Sequence, residues 1–239
     1  MKHALLFIGL LVTNFALLAQ PISSFFTKAD SFLYKNIENS KVNYKAIKQN
    51  TAELDAILKI AATIIIENET TAVQKAFWGN CYNLLVIKGI CDKYPVKSPL
   101  DIDGFFNKIT YAIGNAKLTL DDIENKIIRP QFKDPRFHFI LVCAAKGCPP
   151  ISNRGYFPAT IENQLTKQAK IALNNTYFIR VNKQEKTVEI SSIFQFYKDD
   201  FTNKNTTFLN FINKYRYSKI PDNFQILFYK YDWNLNELK

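Results

Sequence analysis

Apolar residues recur at helical spacing over residues 21–37, where Phe25, Phe26, Ala29, Phe32, Leu33 and Ile37 fall in register. They do so again over 51–66, through Leu54, Ile57, Leu58 and Ala61. A recurrence every three to four residues puts such positions on one helix face, which then buries against a core. Residues 70–91 form the longest of these patterns: Val73, Phe77, Leu84 and Ile87 mark an apolar stripe with Asn80 inside it and Asn83 close by. An asparagine on a buried stripe needs hydrogen-bond partners in the interior.

Beyond Pro95 and Pro99 the texture changes. Segments 109–113 and 116–120 flank Gly114-Asn115 and predict a hairpin with glycine first in a two-residue turn. Thr119 with Asp122 three residues later reads as a helix N-terminal cap for residues 120–128, which Pro130 is expected to stop. Continuous apolar character predicts a strand over 137–143, buried on both faces and running into the loop 144–150. Further on come a helix over 160–174, a hairpin pairing 177–181 with 187–190, helices over 192–201 and 206–217, and a last strand over 224–231. No internal repeat or linker interrupts this order. The expectation is one α+β domain over 20–239, with a helical N-terminal part (20–70) packed on a mainly antiparallel sheet.

The chain has 239 residues, 47% of them hydrophobic, enough for a packed core. Its first 19 residues read as an export leader: Met1-Lys2-His3, then an apolar run over 4–19 broken by Thr13 and Asn14. Cleavage is expected after Ala19, which makes the mature protein exported, periplasmic or extracellular. No later apolar stretch reaches transmembrane length. Removal of Lys2 with the leader leaves a net charge of +9, so the expected partner is a peptide, glycan or protein of acidic character. The basic residues are scattered without a cluster, which argues against nucleic acid.

His3 leaves with the leader, so His138 is the single histidine of the mature chain. Zinc sites built on two or three imidazoles are thereby excluded, and any imidazole base must be His138. Asp101 and Asp103 precede Gly104-Phe105 without the remaining positions of a calcium loop. With seven glycines and no phosphate-binding fingerprint, neither metal nor cofactor is expected.

Four segments carry the chemistry: Ala76-Phe77-Trp78-Gly79-Asn80-Cys81-Tyr82-Asn83; Leu120-Asp121-Asp122-Ile123-Glu124 with Ile128-Arg129-Pro130; Asp134-Pro135-Arg136-Phe137-His138 with Cys143-Ala144-Ala145-Lys146-Gly147-Cys148-Pro149-Pro150; and Tyr231-Asp232-Trp233-Asn234. Their order and spacing resemble the DUF547 family, a domain of unknown function in exported bacterial proteins and in plant and animal proteins. Cys81 departs from the family pattern, as does Asn125-Lys126, where the family often has His-Gly. The resemblance weights a chemical role toward Cys143 rather than Cys148, because plant members tend to keep the former and lose the latter.

Cys143, His138 and Glu124 supply the three residue types of a thiol nucleophile, its base and an orienting group. With Asn80 or Asn83 polarising a carbonyl, they would make a thiol-dependent hydrolase or acyl transferase on peptide or amide substrates, in a papain-like or transglutaminase-like arrangement. Trp78, Tyr82, Arg129, Arg136 and Cys148 complete the candidate site as binding residues. The bland readings stand beside these. Cys143 and Cys148 could close a disulfide in an oxidising compartment. The asparagines could bridge backbone groups, the arginines could pair with Asp121, Asp122, Glu124 or Asp134, and the whole could be a non-catalytic binding or scaffold domain. Cys81 and Cys91, ten apart on one helix, lie about 15 Å apart and cannot pair with each other.

Overall fold

The computed structural model describes residues 12–239. The leader reading over 1–19 therefore lies in the main outside the described residues. Helix α1 (Val12–Asn36) leads through a short hairpin, β1 (Ile37–Glu38) and β2 (Lys41–Val42), to α2 (Tyr44–Gln49), α3 (Ala52–Ala61) and the long α4 (Thr71–Lys93). No described helix is long and apolar enough to cross a membrane. Phe25, Phe32, Leu54, Ile57 and Phe77 are fully buried where α1 and α3 pack around α4. The long helix is buried along most of its length, from Ala76 to Ile87 without a break.

The expected turn forms between β3 (Tyr111–Ile113) and β4 (Ala116–Leu118), with Gly114 at φ +57. Thr119 and Asp122 cap the next helix reciprocally: Asp122 N–H donates to Thr119 Oγ1 at 3.0 Å, and Thr119 N–H to Asp122 Oδ2 at 2.9 Å. That helix is wound as a π-helix over Asp122–Ile128 and continues into α5 (Arg129–Phe132). Pro130 does not stop it, because proline sits in the first turn of α5, where its missing N–H is no loss. The chain leaves the helix at Lys133, in the left-handed region.

The strand expected over 137–143 does not form. Asp134 accepts from Arg136 N–H at 3.0 Å and Pro135 fixes the first φ, so Pro135–Phe139 winds as a 3₁₀ turn. No neighbouring strand is available to the residues that follow. The Asn83 side chain takes that role, accepting from Val142 N–H at 3.0 Å and donating to Ile140 O at 2.8 Å. Apolar continuity registered burial and carried no information about a pairing partner.

After α6 (Ile161–Asn174), β5 (Ile179–Asn182) pairs antiparallel with β6 (Thr187–Ser191). Two short helices, α7 (Ile193–Phe196) and α8 (Lys198–Phe201), and then α9 (Phe208–Tyr215) precede β7 (Gln225–Tyr229), which lies parallel to β6. The strands thus form three small sheets, antiparallel apart from the last pairing, and the α+β class holds. A second apolar cluster, around Phe139, Phe194, Phe201 and Phe211, packs these elements together. Cys148 touches both clusters. The C-terminal residues thread beside the loop 144–148 and fix it: Lys146 N–H donates to Asn234 O at 2.8 Å, Gly147 N–H to Asp232 O at 2.8 Å and Asn236 N–H to Ala144 O at 2.9 Å.

Candidate functional site

A cavity of about 160 Å³ opens between the two apolar clusters. Glu124, His138, Cys143 and Cys148 all border it, together with Tyr82, Tyr197, Tyr231 and Trp233. The π-helix contributes Glu124, the 3₁₀ turn His138, and the loop held by the C-terminal residues the two cysteines, so three separate local structures converge on one space.

His138 is held from two sides. Its Nε2 lies 2.7 Å from Asp200 Oδ2, and its ring stacks on Tyr197 with centroids 4.1 Å apart. Arg129 grips the same carboxylate through Nε at 2.6 Å and Nη2 at 3.0 Å. Burial alone would raise the Asp200 pKa, but the hydrogen bonds from His138 and Arg129 outweigh it and hold the carboxyl below the ordinary range. An ionised Asp200 accepts from Nε2–H, so that in the neutral form of the ring the lone pair lies on Nδ1. That nitrogen faces Glu124, whose Oε1 is 3.9 Å away, beyond hydrogen-bond length.

Glu124 is itself anchored by Tyr82, whose hydroxyl donates to Oε2 at 3.1 Å. Burial, and then the neighbouring carboxylate, push the Tyr82 and Tyr197 hydroxyls well above their usual pKa. Burial does the same to Tyr231. All three are neutral donors at physiological pH.

Cys143 and Cys148 are joined as a disulfide. The Tyr231 hydroxyl lies 3.1 Å from each sulfur, and Cys143 N–H donates to Cys148 Sγ at 3.0 Å. Ala144 follows at φ +65, a conformation costly for a residue with a Cβ. A Cβ on Gly147 would stand 3.0 Å from Asp232 N and the Tyr231 ring, closer than ordinary van der Waals contact, so a side chain here would press on the tyrosine that reaches the sulfurs. In this oxidised state Cys143 has no thiol to ionise, and the nucleophile expected from sequence is masked.

The remaining candidates separate. Neither Asn80 nor Asn83 borders the cavity: Asn80 Nδ2 donates to Tyr156 O at 2.8 Å while its Oδ1 accepts from Tyr156 N–H at 2.9 Å, as Asn83 does with Ile140 and Val142. Their amides bridge backbone that has no strand partner. Trp78 packs edge-on against Phe77, away from the cavity. Arg136 pairs with Asp134 at 2.6 Å and with Glu162 at 2.5 Å. Arg129 serves the site only through Asp200 and Asn125. Asp200 and Tyr197 escaped sequence reasoning because they lie some 60 residues from His138 on short helices with no motif of their own. Tyr231 stood in a noted motif, and only its distance to the sulfurs singles it out. No cluster of three or more His, Cys, Asp or Glu side chains suited to a metal occurs among the described residues.

The family model described as "Protein of unknown function, DUF547" matches residues 66–171. This region is similar to the DUF547 family. The DUF547 match takes in Glu124, His138 and both disulfide cysteines, along with the asparagines of α4; Asp200 and Tyr231 lie past its end. No curated protein and no solved structure matches the chain.

Proposed function

We propose that the protein is a hydrolase or acyl transferase of peptide or amide bonds whose nucleophile is the reduced Cys143 thiol. The single observation that carries this reading is the hydrogen bond, 2.7 Å long, by which Asp200 holds His138, a residue lining the cavity that the two cysteines border. A carboxylate on Nε2 fixes the tautomer whose Nδ1 is a base, and Asp200 rather than Glu124 fills that orienting role. An external dithiol first reduces the disulfide, becoming a disulfide itself. Cys143 Sγ then attacks the acyl carbon, its proton passing to Nδ1. The imidazolium, stabilised by Glu124, returns that proton to the leaving amine as the C–N bond breaks. Water or an acceptor amine releases the thioester by the reverse proton path.

Export through the leader over 1–19 belongs to the same proposal, since a disulfide persists in an oxidising compartment. The rival reading, a non-catalytic binding domain for an acidic partner, draws on the fact that the sulfur is masked. Screening peptide, amide and ester substrates with oxidised and reduced protein separates the two. Activity is expected only after reduction, and it should vanish in Cys143→Ala and in His138→Ala. Turnover by the oxidised protein, or by folded His138→Ala, eliminates the mechanism; silence of the reduced protein across the screen leaves the binding domain.

A further inference from the structure

The disulfide separates two unlike spaces. Cys143 borders the aromatic cavity but not the second space, a wider groove of about 460 Å³; Cys148 borders both. The groove is basic, with Lys41, Lys146, Arg180 and Lys230 around it and one carboxylate, Asp232. Arg180 pairs with Glu189 at 3.3 Å and stacks over Tyr229. Among the described residues, Lys41, Lys146 and Lys230 form no ion pair.

Thiol–disulfide exchange needs the attacking thiolate, the attacked sulfur and the leaving sulfur close to one line, and access decides which sulfur is attacked. Cys148 lines the groove and Cys143 does not, so an attacker that comes through the groove reaches Cys148, and the in-line requirement then makes Cys143 Sγ the leaving group. A line that ends on Cys148 would have to start inside the small aromatic cavity. Unpaired lysines also concentrate anions at the groove.

We propose that Cys148 is the sulfur through which this disulfide is reduced, that its attacker is an anionic thiol docked in the basic groove, and that Cys143 is the sulfur released into the cavity. The thiolate forms a bond to Cys148 Sγ and the Cys143–Cys148 bond breaks. The electron pair leaves on Cys143, which accepts a hydrogen bond from the Tyr231 hydroxyl already 3.1 Å away. A second thiol then attacks the attached thiol's sulfur, the Cys148 thiolate departs onto the Cys143 N–H that lies 3.0 Å from it, and the reductant leaves oxidised. This concerns the disulfide alone and stands whether or not the reduced thiol hydrolyses anything.

Lys146 makes the test direct, because trypsin cleaves after it and places the two cysteines on separate peptides, 137–146 and 147–154. Full-length oxidised protein is mixed with excess glutathione, quenched with acid at short times, blocked with N-ethylmaleimide and digested. Glutathione is expected on peptide 147–154 and maleimide on 137–146; glutathione on 137–146, or equally on both, overturns the proposal. A second arm compares Lys146→Glu with the parent. Reduction by glutathione should slow about threefold or more, and reduction by 2-mercaptoethanol, whose only charge is that of its thiolate, clearly less. Equal slowing for both thiols, or none for either, removes the groove from the reaction.

Discussion

His138 Nε2 and Asp200 Oδ2 stand 2.7 Å apart across 62 residues of sequence, and this one contact fixes the ring orientation and, in the neutral form, puts the lone pair on Nδ1. It also ties the 3₁₀ turn, in which His138 sits between Phe137 of the first apolar cluster and Phe139 of the second, to α8, which carries Asp200. Stability and chemistry therefore meet in the same pair.

Asp200→Asn should destabilise the fold by about 1–3 kcal/mol at neutral pH, because Arg129 and His138 lose a charged acceptor. The folded pKa lies below the unfolded one, so the stabilisation is present in full above the usual carboxylate range and is lost as pH falls through the folded value. Denaturant titrations from pH 7 down to about 2 should show a shallower acid loss in the variant than in the parent. Parallel curves would dissociate the carboxylate from the acid sensitivity.

Once an assay exists, Asp200→Asn should lower kcat/KM of the reduced protein by about 10²–10⁴, the range seen when a carboxylate that sets a histidine tautomer is made neutral. Glu124→Gln should lose less, since at 3.9 Å it stabilises the imidazolium without orienting the ring. A larger loss for Glu124→Gln would exchange the two roles.

Asn80→Leu should cost about 1–3 kcal/mol, leaving Tyr156 N–H and C=O buried and unpaired. Asn83→Leu should match it through Ile140 and Val142, and should in addition loosen the segment that carries Cys143. Thermal unfolding reads the first effect, and hydrogen exchange at Val142 N–H the second.

Iodoacetamide should label none of the four cysteines in the oxidised native protein. Reduction should open Cys143 and Cys148 only. Cys81 and Cys91 are free but fully buried, and burial pushes the Cys91 thiol up to about 12 and Cys81 higher still, so both should react only on unfolding. Native labelling of Cys81 would show that α4 is less enclosed than the packing implies.

Local signals determined a good part of this protein. Periodicity located α3, α4 and α6 closely, Gly114-Asn115 set a hairpin turn, Thr119 and Asp122 set a cap, and of the sequence's two histidines His138 is the one within the described residues. These depend on residues within a few positions of one another, which is the range over which propensity and patterning act. Tertiary structure decided the rest. The apolar run over 137–143 became a 3₁₀ turn and a bridged segment because its hydrogen-bond partner is a side chain on α4, not a strand. Asp200, and not Glu124, lies within hydrogen-bond distance of His138, and Asn80 and Asn83 turned to backbone rather than to the cavity. A hydrogen bond between groups dozens of residues apart is set by how the helices pack, and no spacing along the chain encodes that distance.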